Sequence, residues 1–420
     1  MNNFVLKGNI IYTPSFGELK VYENGFLVCE DNLVQGVYNK LPEKFENLGL
    51  FDFTDKIIIP GLIDAHLHAP QFAFMGMGMD LQLLEWLETY TFKEERKYSD
   101  LEYAEEAYEY FVEELTKSFT TRISAFSTIH KDSTLLLMDK LEKRGFKGFV
   151  GKVNMDTNSP SYLSESTKVS VRDTIDFIEE SLSRFNGIKP IITPRFAISC
   201  SEELLNELGN IAEKYCLPIQ SHLSENVDEI KWVKELFSNI KCYADVYDRF
   251  NLFNDKTLMA HCVYPNEEEY KLMRDKKITA VHCPVSNMNI ASGISPVRKL
   301  IENGINVTLG TDVAGGSTLS MIKVISDSIQ NSKLKYLFTD KQDMFLSPAE
   351  GLFLATKANE HIFGKVGSFE PGYEFDAVVI DDSLLGNIKG VKLVNRLERV
   401  VSRAVFSHIK AKFISGKRVI

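Results

Sequence analysis

The stretch PGLIDAHLHAPQ, Pro60 to Gln71, continues the apolar run IIIPGLI and then places two histidines one residue apart, His66 and His68. In a strand, residues two apart point to the same side. Both imidazoles therefore face one space beside a buried segment. Two neutral imidazoles on one side of a strand end make half of a metal site. The plainer reading is two polar residues at a strand end, and the other strands decide between them.

Downstream of this stretch, near-continuous apolar runs alternate with amphipathic ones. The apolar runs are ISAFSTIH (123–130), KGFVGKVNM, PIITPRFAIS, PIQSHLSE, TLMAHCVY, ITAVHCP and NVTLGTD. Such runs suit parallel strands covered on both faces. Between them, SEELLNELGNIAEKYC sets Leu204, Leu205, Leu208, Ile211 and Ala212 at helical spacing. Asn266 is placed to cap NEEEYKLMRDKK, and Ser347-Pro348-Ala349-Glu350 reads as a capping box opening a helix over AEGLFLATKANEHIF. Strand–helix pairs repeated in this way predict an α/β protein built on a (β/α)8 barrel. A doubly wound sheet shares the alternation but carries a Gly-rich nucleotide turn after its first strand. MGMGMD (75–80) is not such a turn.

Both chain ends read as short β-rich runs broken by Asn, Gly and Asp, with too few strands on either side to fold alone. The expected organisation is a small composite β-sandwich from 1–59 plus 367–420, and a metal-dependent hydrolase barrel over 60–366. The chain has 420 residues, 44% hydrophobic and 25% charged, as in a soluble globular protein. A net charge of −10 without a long basic run speaks against nucleic-acid and anionic-membrane partners. The six cysteines form no CxxC pair and no disulfide framework. The N-terminus lacks the build of a signal peptide, and no apolar run is long enough to span a membrane. A cytoplasmic protein is expected.

In a barrel the chemistry sits at the C-terminal ends of the strands. The polar residues at those ends are His66, His68, His130, Arg195, His222 with Glu225, His261, His282 and Asp312. Six of the eight histidines are among them. His66, His68, His222 and Asp312 supply three imidazoles and one carboxylate, a set suited to Zn²⁺ and open to Fe²⁺. PIITPRFAIS has no lysine to carry a bridging carbamate, so one ion per chain is the simpler expectation. A catalytic ion keeps a place for water and lowers its pKa toward neutrality. Asp312 can take the water's proton, and Glu225 can carry another to the substrate and its leaving group. The structural alternative for Glu225 is a carboxylate facing a helix N-terminus. His261 either joins the ligands or hydrogen-bonds the activated water, and the second is preferred.

Taken together, PGLIDAHLH, SHLSEN, MAHC, HCPVSN and LGTD resemble the amidohydrolase superfamily. Within it, HAPQ, DLQLLEWL, ITPRFAISCS, IQSHLSEN, LGTDVAGG, STIHKDST and FVGKVNMD resemble the guanine deaminases, over roughly residues 55 to 360. The resemblance implies hydrolysis of guanine to xanthine and ammonia, zinc on His66, His68, His222 and Asp312, and a homodimer. It implies Glu225 as proton shuttle, His261 as the histidine that orients the nucleophile, and Gln71, Arg195 and Phe196 as substrate contacts. Side-chain chemistry agrees: arginine offers a donor fork to the two acceptors of the purine O6/N7 edge, and phenylalanine offers a flat apolar face. Two alternatives stand beside it, a hydrolase of another purine, a pterin or a triazine ring, and a barrel that serves only as a scaffold. Arg122 and Cys262 depart from the family pattern without touching the ligand set. The segment 72–98 is a candidate lid, from its length and position.

Overall fold

The computed structural model describes residues 3–339, 341, 343–386 and 390–420. The first two residues of the expected N-terminal segment lie outside these. Two four-stranded parallel sheets form the centre. One pairs Leu62–His68, Thr120–Phe126, Lys147–Gly151 and Ile188–Pro190 in that order. The other pairs Ile219–Leu223, Thr257–His261, Thr279–His282 and Asn306–Leu309. Apolar strands wholly buried, such as Leu62–His68 and Thr257–His261, fit a sheet covered on both faces.

The two sheets are joined at both margins. On one side Ile192 N–H donates to Pro218 O at 3.0 Å, and Gln220 N–H to Ile192 O at 2.9 Å. On the other, Asp312 N–H donates to His66 O and His68 N–H to Val313 O, each at 2.9 Å. The tail of the eighth strand thus hangs on the end of the first. Gly310 permits this approach, because a Cβ there would lie 2.9 Å from the His66 carbonyl oxygen.

The run IIIPGLIDAHLH is not one strand. Gly49–Pro60 belongs to a separate sheet, and Leu62–His68 opens the parallel set. The hinge is Gly61, where a side chain would meet Thr121 Oγ1 at 2.3 Å. The fourth apolar run is likewise broken: one piece, Ile188–Pro190, ends on the first residue of PIITPRFAIS and a second is Thr193–Pro194, each ending on a proline that lacks the N–H a longer ladder needs. The caps expected at Asn266 and Ser347 are present as full capping boxes with Glu269 and Glu350. The helix after Ser347 stops at Leu354 rather than running to Phe363. Its next carbonyl, of Ala355, is taken by Ile63 N–H at 2.9 Å, and the Asn359 side chain caps the carbonyls of Leu354 and Thr356.

Both chain ends meet in one seven-stranded sheet, ordered Lys417–Arg418, Ile409–Ile414, Ala377–Ile380, Gly49–Pro60, Phe4–Tyr12, Lys20–Glu30, Leu33–Tyr38. Its strands hydrogen-bond as one sheet, and residues of the N- and C-terminal strands pack into a shared core, which fits the expected sandwich in part. Val34 N–H donates to Tyr373 O and Phe375 N–H to Asn32 O, both at 2.8 Å. Phe4 thereby meets Phe375 and Phe413 at ring separations of 5.1 and 5.3 Å. Arg122 explains itself here: buried, it pairs with Asp376 at 2.5 Å and Glu374 at 2.6 Å, tying the second parallel strand to the C-terminal segment. Cys262 is buried in the core. Among the described residues no helix is long and apolar enough to cross a membrane.

Candidate active site

The strand ends converge as their sequence positions imply. His66 Nε2 lies 3.1 Å and His68 Nε2 3.4 Å from Asp312 Oδ1. His68 Nε2 and His222 Nε2 face each other at 3.2 Å. His261 Nε2 stands 3.4 Å from Glu225 Oε2 and 3.7 Å from Asp312 Oδ2. All are buried. Ligand atoms of His66, His68 and Asp312, and those of His66, His222 and His261, lie close enough to hold one cation. His66 Nε2 and His68 Nδ1 are buried without a hydrogen-bond partner. Several imidazole nitrogens gathered around one carboxylate, not all of them taken up by hydrogen bonds, form a donor set that suits a cation. The residues therefore fit a divalent metal.

Neighbouring groups fix the imidazoles. His222 Nδ1–H donates to the Arg195 carbonyl at 2.6 Å, and His261 Nδ1–H to Asn287 Oδ1 at 2.9 Å, so both present a lone pair at Nε2. Asp64 accepts from Thr311 N–H at 2.9 Å and Thr311 Oγ1–H at 2.5 Å, which anchors the chain just before Asp312. His261 and Asp312 both occupy the left-handed region, at φ 73° and 49°. Such strain persists where the surroundings hold a residue for its function.

Electrostatics divide the roles. Burial pushes His68 and His222 well below the usual histidine range, which keeps them neutral. Burial alone would raise Asp312, but His66, His261 and His68 around it pull it well below the carboxylate range. Glu225 behaves oppositely: burial, with the charge of Asp312 beside it, pushes it up to about 8. Its Oε1 accepts from Ser292 Oγ at 3.1 Å. Its backbone N–H donates to Glu229 at 2.9 Å, and Glu229 in turn accepts from Tyr243 at 2.9 Å. One carboxylate held ionised and one held protonated is the arrangement of a base and an acid.

These groups open into one cavity. Arg195, Gln71 and Phe196 line it with them. Its roof is Leu83, Trp86 and Leu87, from a run of short helical turns that begins at Leu83 within the segment 72–98 read as a lid and ends at Ser99, one residue past it. The three stand at helical spacing within DLQLLEWL, a signal that could have assigned them. Glu95, Asn287, Ser292 and Asp64 were not marked by any spacing. Their parts depend on tertiary neighbours.

Two strand-end histidines stay apart from this cavity. His130 precedes the helix Lys131–Lys143 and is held near 4 by burial and the charge of Lys152. His282 follows Val281, which packs inward with Ala65 and Leu258. Alternation turns the next side chain outward, into a separate cavity lined by Arg298, Ser328 and Lys335. Burial, with the charge of His261, pushes His282 down to about 3. An unfolded histidine near 6.5 binds the proton that the folded one refuses, so this contribution is intact above about pH 6.5 and is lost as pH falls toward 3. Between pH 7 and pH 5 the loss is about 2 kcal/mol. Urea unfolding at both pH values should show a change in stability between pH 7 and pH 5 that differs by this amount between the wild type and His282→Gln. Equal changes in the two proteins would contradict it.

Residues 57–419 match the model of the Amidohydrolase family. The chain is 38% identical to the guanine deaminase of Dictyostelium discoideum, covering 99% of this chain and 98% of that protein. It is 39% identical to the guanine deaminase of Homo sapiens, covering 87% and 83%. A solved guanine deaminase from C. acetobutylicum, with guanine bound in its active site, superposes with a TM-score of 0.98 at 45% identity over 100% of both chains. With a matched family model spanning nearly the whole chain and a buried cluster of imidazoles and carboxylate at its strand ends, this chain belongs to the amidohydrolase family.

Proposed function

We infer that this chain hydrolyses guanine to xanthine and ammonia, using one zinc ion held by His66, His68, His222 and Asp312. The observation that carries this reading is the 45% identity, over the whole of both chains, to a guanine deaminase solved with guanine in its site. The architecture that goes with it is a (β/α)8 barrel over 60–366, closed through the two joined margins, with a domain from 1–59 and 367–420 beside it. Fe²⁺ suits the same donors. A homodimer in the cytoplasm is the expected state of such an enzyme, and sedimentation of the purified protein tests the dimer.

The divalent ion, when bound, supplies the acidity that lets water act as a nucleophile near neutral pH. The chain's own residues do the rest. Asp312, held ionised, receives the proton that leaves the water as its oxygen adds to C2. Glu225, held protonated, gives a proton to the adjacent ring nitrogen, regains one from the new C2 hydroxyl and passes it to the 2-amino group, which departs as ammonia; the proton held by Asp312 then restores Glu225. His261, fixed through Asn287, holds the attacking oxygen in line. Arg195 directs its fork at the O6/N7 edge, Gln71 adds a polar contact, and Phe196 and Trp86 offer apolar faces to the flat base.

Arg195→Ala should raise KM for guanine by about tenfold or more, the scale of a lost hydrogen bond to a charged group, with metal content unchanged. A loss of metal instead would remove Arg195 from recognition. The reading as a whole is tested by ammonia release from a panel of purines, pterins and triazines. Guanine should be turned over fastest, and a better substrate from the panel would displace it.

A further inference from the structure

The polar groups assigned to the purine share a single support. Glu95, 1% exposed, ends the short helix Phe92–Glu95 and divides its two carboxylate oxygens. Oε1 accepts from Gln71 Nε2 at 2.9 Å, and Oε2 accepts from Arg195 Nη1 at 2.6 Å. Gln71 Oε1 accepts in turn from Ala314 N–H at 3.2 Å, so its amide is oriented at both ends. The guanidinium of Arg195 also lies over the Phe92 ring, 5.4 Å from its centroid.

Glu95 stands on the same run of helical turns as Trp86 and Leu87, which roof the cavity. An ionised acceptor makes short, directional bonds to a guanidinium. The Arg195 side chain is long and flexible, and a fork displaced by an ångström loses much of its effect on a bound substrate. The bond to Glu95 uses one N–H of each partner and leaves the rest of the fork and amide for the base.

We propose that Glu95 is a positioning residue for purine recognition. It presets the Arg195 fork and the Gln71 amide, and by its place on the roof segment it couples seating of the roof to assembly of the recognition pair. The inference rests on the assignment of Arg195 and Gln71 to the purine.

The test compares Glu95→Gln, Glu95→Asp and Arg195→Ala as metal-loaded, full-length enzymes. Substrate is guanine, and the competitor is a purine with the 2-amino group but no 6-oxygen. In Glu95→Gln, KM for guanine should rise about tenfold with kcat changed by less than about threefold, and metal content should be unchanged. The competitor's inhibition constant should move by clearly less than the guanine KM, since it keeps N7 but lacks the oxygen that completes the edge the fork meets. Glu95→Asp, which keeps the charge, should recover part of the loss, and it carries the test if Glu95→Gln folds poorly.

An unchanged guanine KM in Glu95→Gln while Arg195→Ala raises it would overturn the proposal. Equal weakening of guanine and competitor would overturn it too, since a general structural defect acts on both. If Arg195→Ala leaves guanine KM unmoved, the recognition assignment falls and this inference falls with it.

Discussion

Glu225→Gln is expected to keep its metal and to turn guanine over at least about a hundredfold more slowly. Glutamine matches the shape of the side chain, and its oxygen can still accept the Ser292 bond at the Oε1 position. The backbone turn held by Glu229 involves main-chain N–H groups and is untouched. What is lost is a proton that can be given and taken back. Since the group makes its largest contribution in the transition state, the loss should fall on kcat and kcat/KM together. Metal analysis and the kinetic constants of the purified variant check both halves. Turnover near the wild-type value would remove Glu225 from the proton path, and loss of metal would move it into the ligand set.

Asp312→Ala is expected to do more, because one carboxylate is given two duties. It supplies a ligand oxygen beside His66 and His68, and it receives the water's proton. Its removal should empty the site of metal and lower turnover by on the order of ten-thousandfold. Chelator-treated wild type is the control: zinc should restore its activity, whereas excess zinc should not restore the variant. Circular dichroism should be close to wild type. Thr311 remains anchored to Asp64, which holds the backbone at the strand end without the Asp312 side chain. A variant that retains stoichiometric metal would show that Asp312 is not a ligand.

How much of this was legible beforehand depended on whether the signal was local. Asn266 and Ser347 announced their caps because a capping box is written within four consecutive residues. His66 and His68 announced a shared face because strand alternation is fixed by the backbone. His222, Glu225, His261 and Asp312 could be joined to them because each falls at the end of an apolar run. The break at Gly61 was not legible: an unbroken apolar run carries no mark of passing from one sheet to another, and the crowding by Thr121 that requires glycine comes from elsewhere in the chain. His282 looked equivalent to His261, whose strand phase it shares; what sets His261 apart is a left-handed backbone at φ 73°, which no local pattern in the sequence marks. Glu95 gave no sign at all. An acid in the charged stretch KEER reads as surface, and its burial follows from two partners, Gln71 and Arg195, far away in sequence.

The central claim is that distant strand ends hold one divalent ion. Diffraction from crystals of the active enzyme, recorded on both sides of the zinc absorption edge, tests it most directly. A single anomalous peak should stand about 2.0–2.2 Å from nitrogens of His66, His68 and His222 and an oxygen of Asp312. Crystals of protein that still releases ammonia from guanine, with no metal peak among those four residues, would contradict the account.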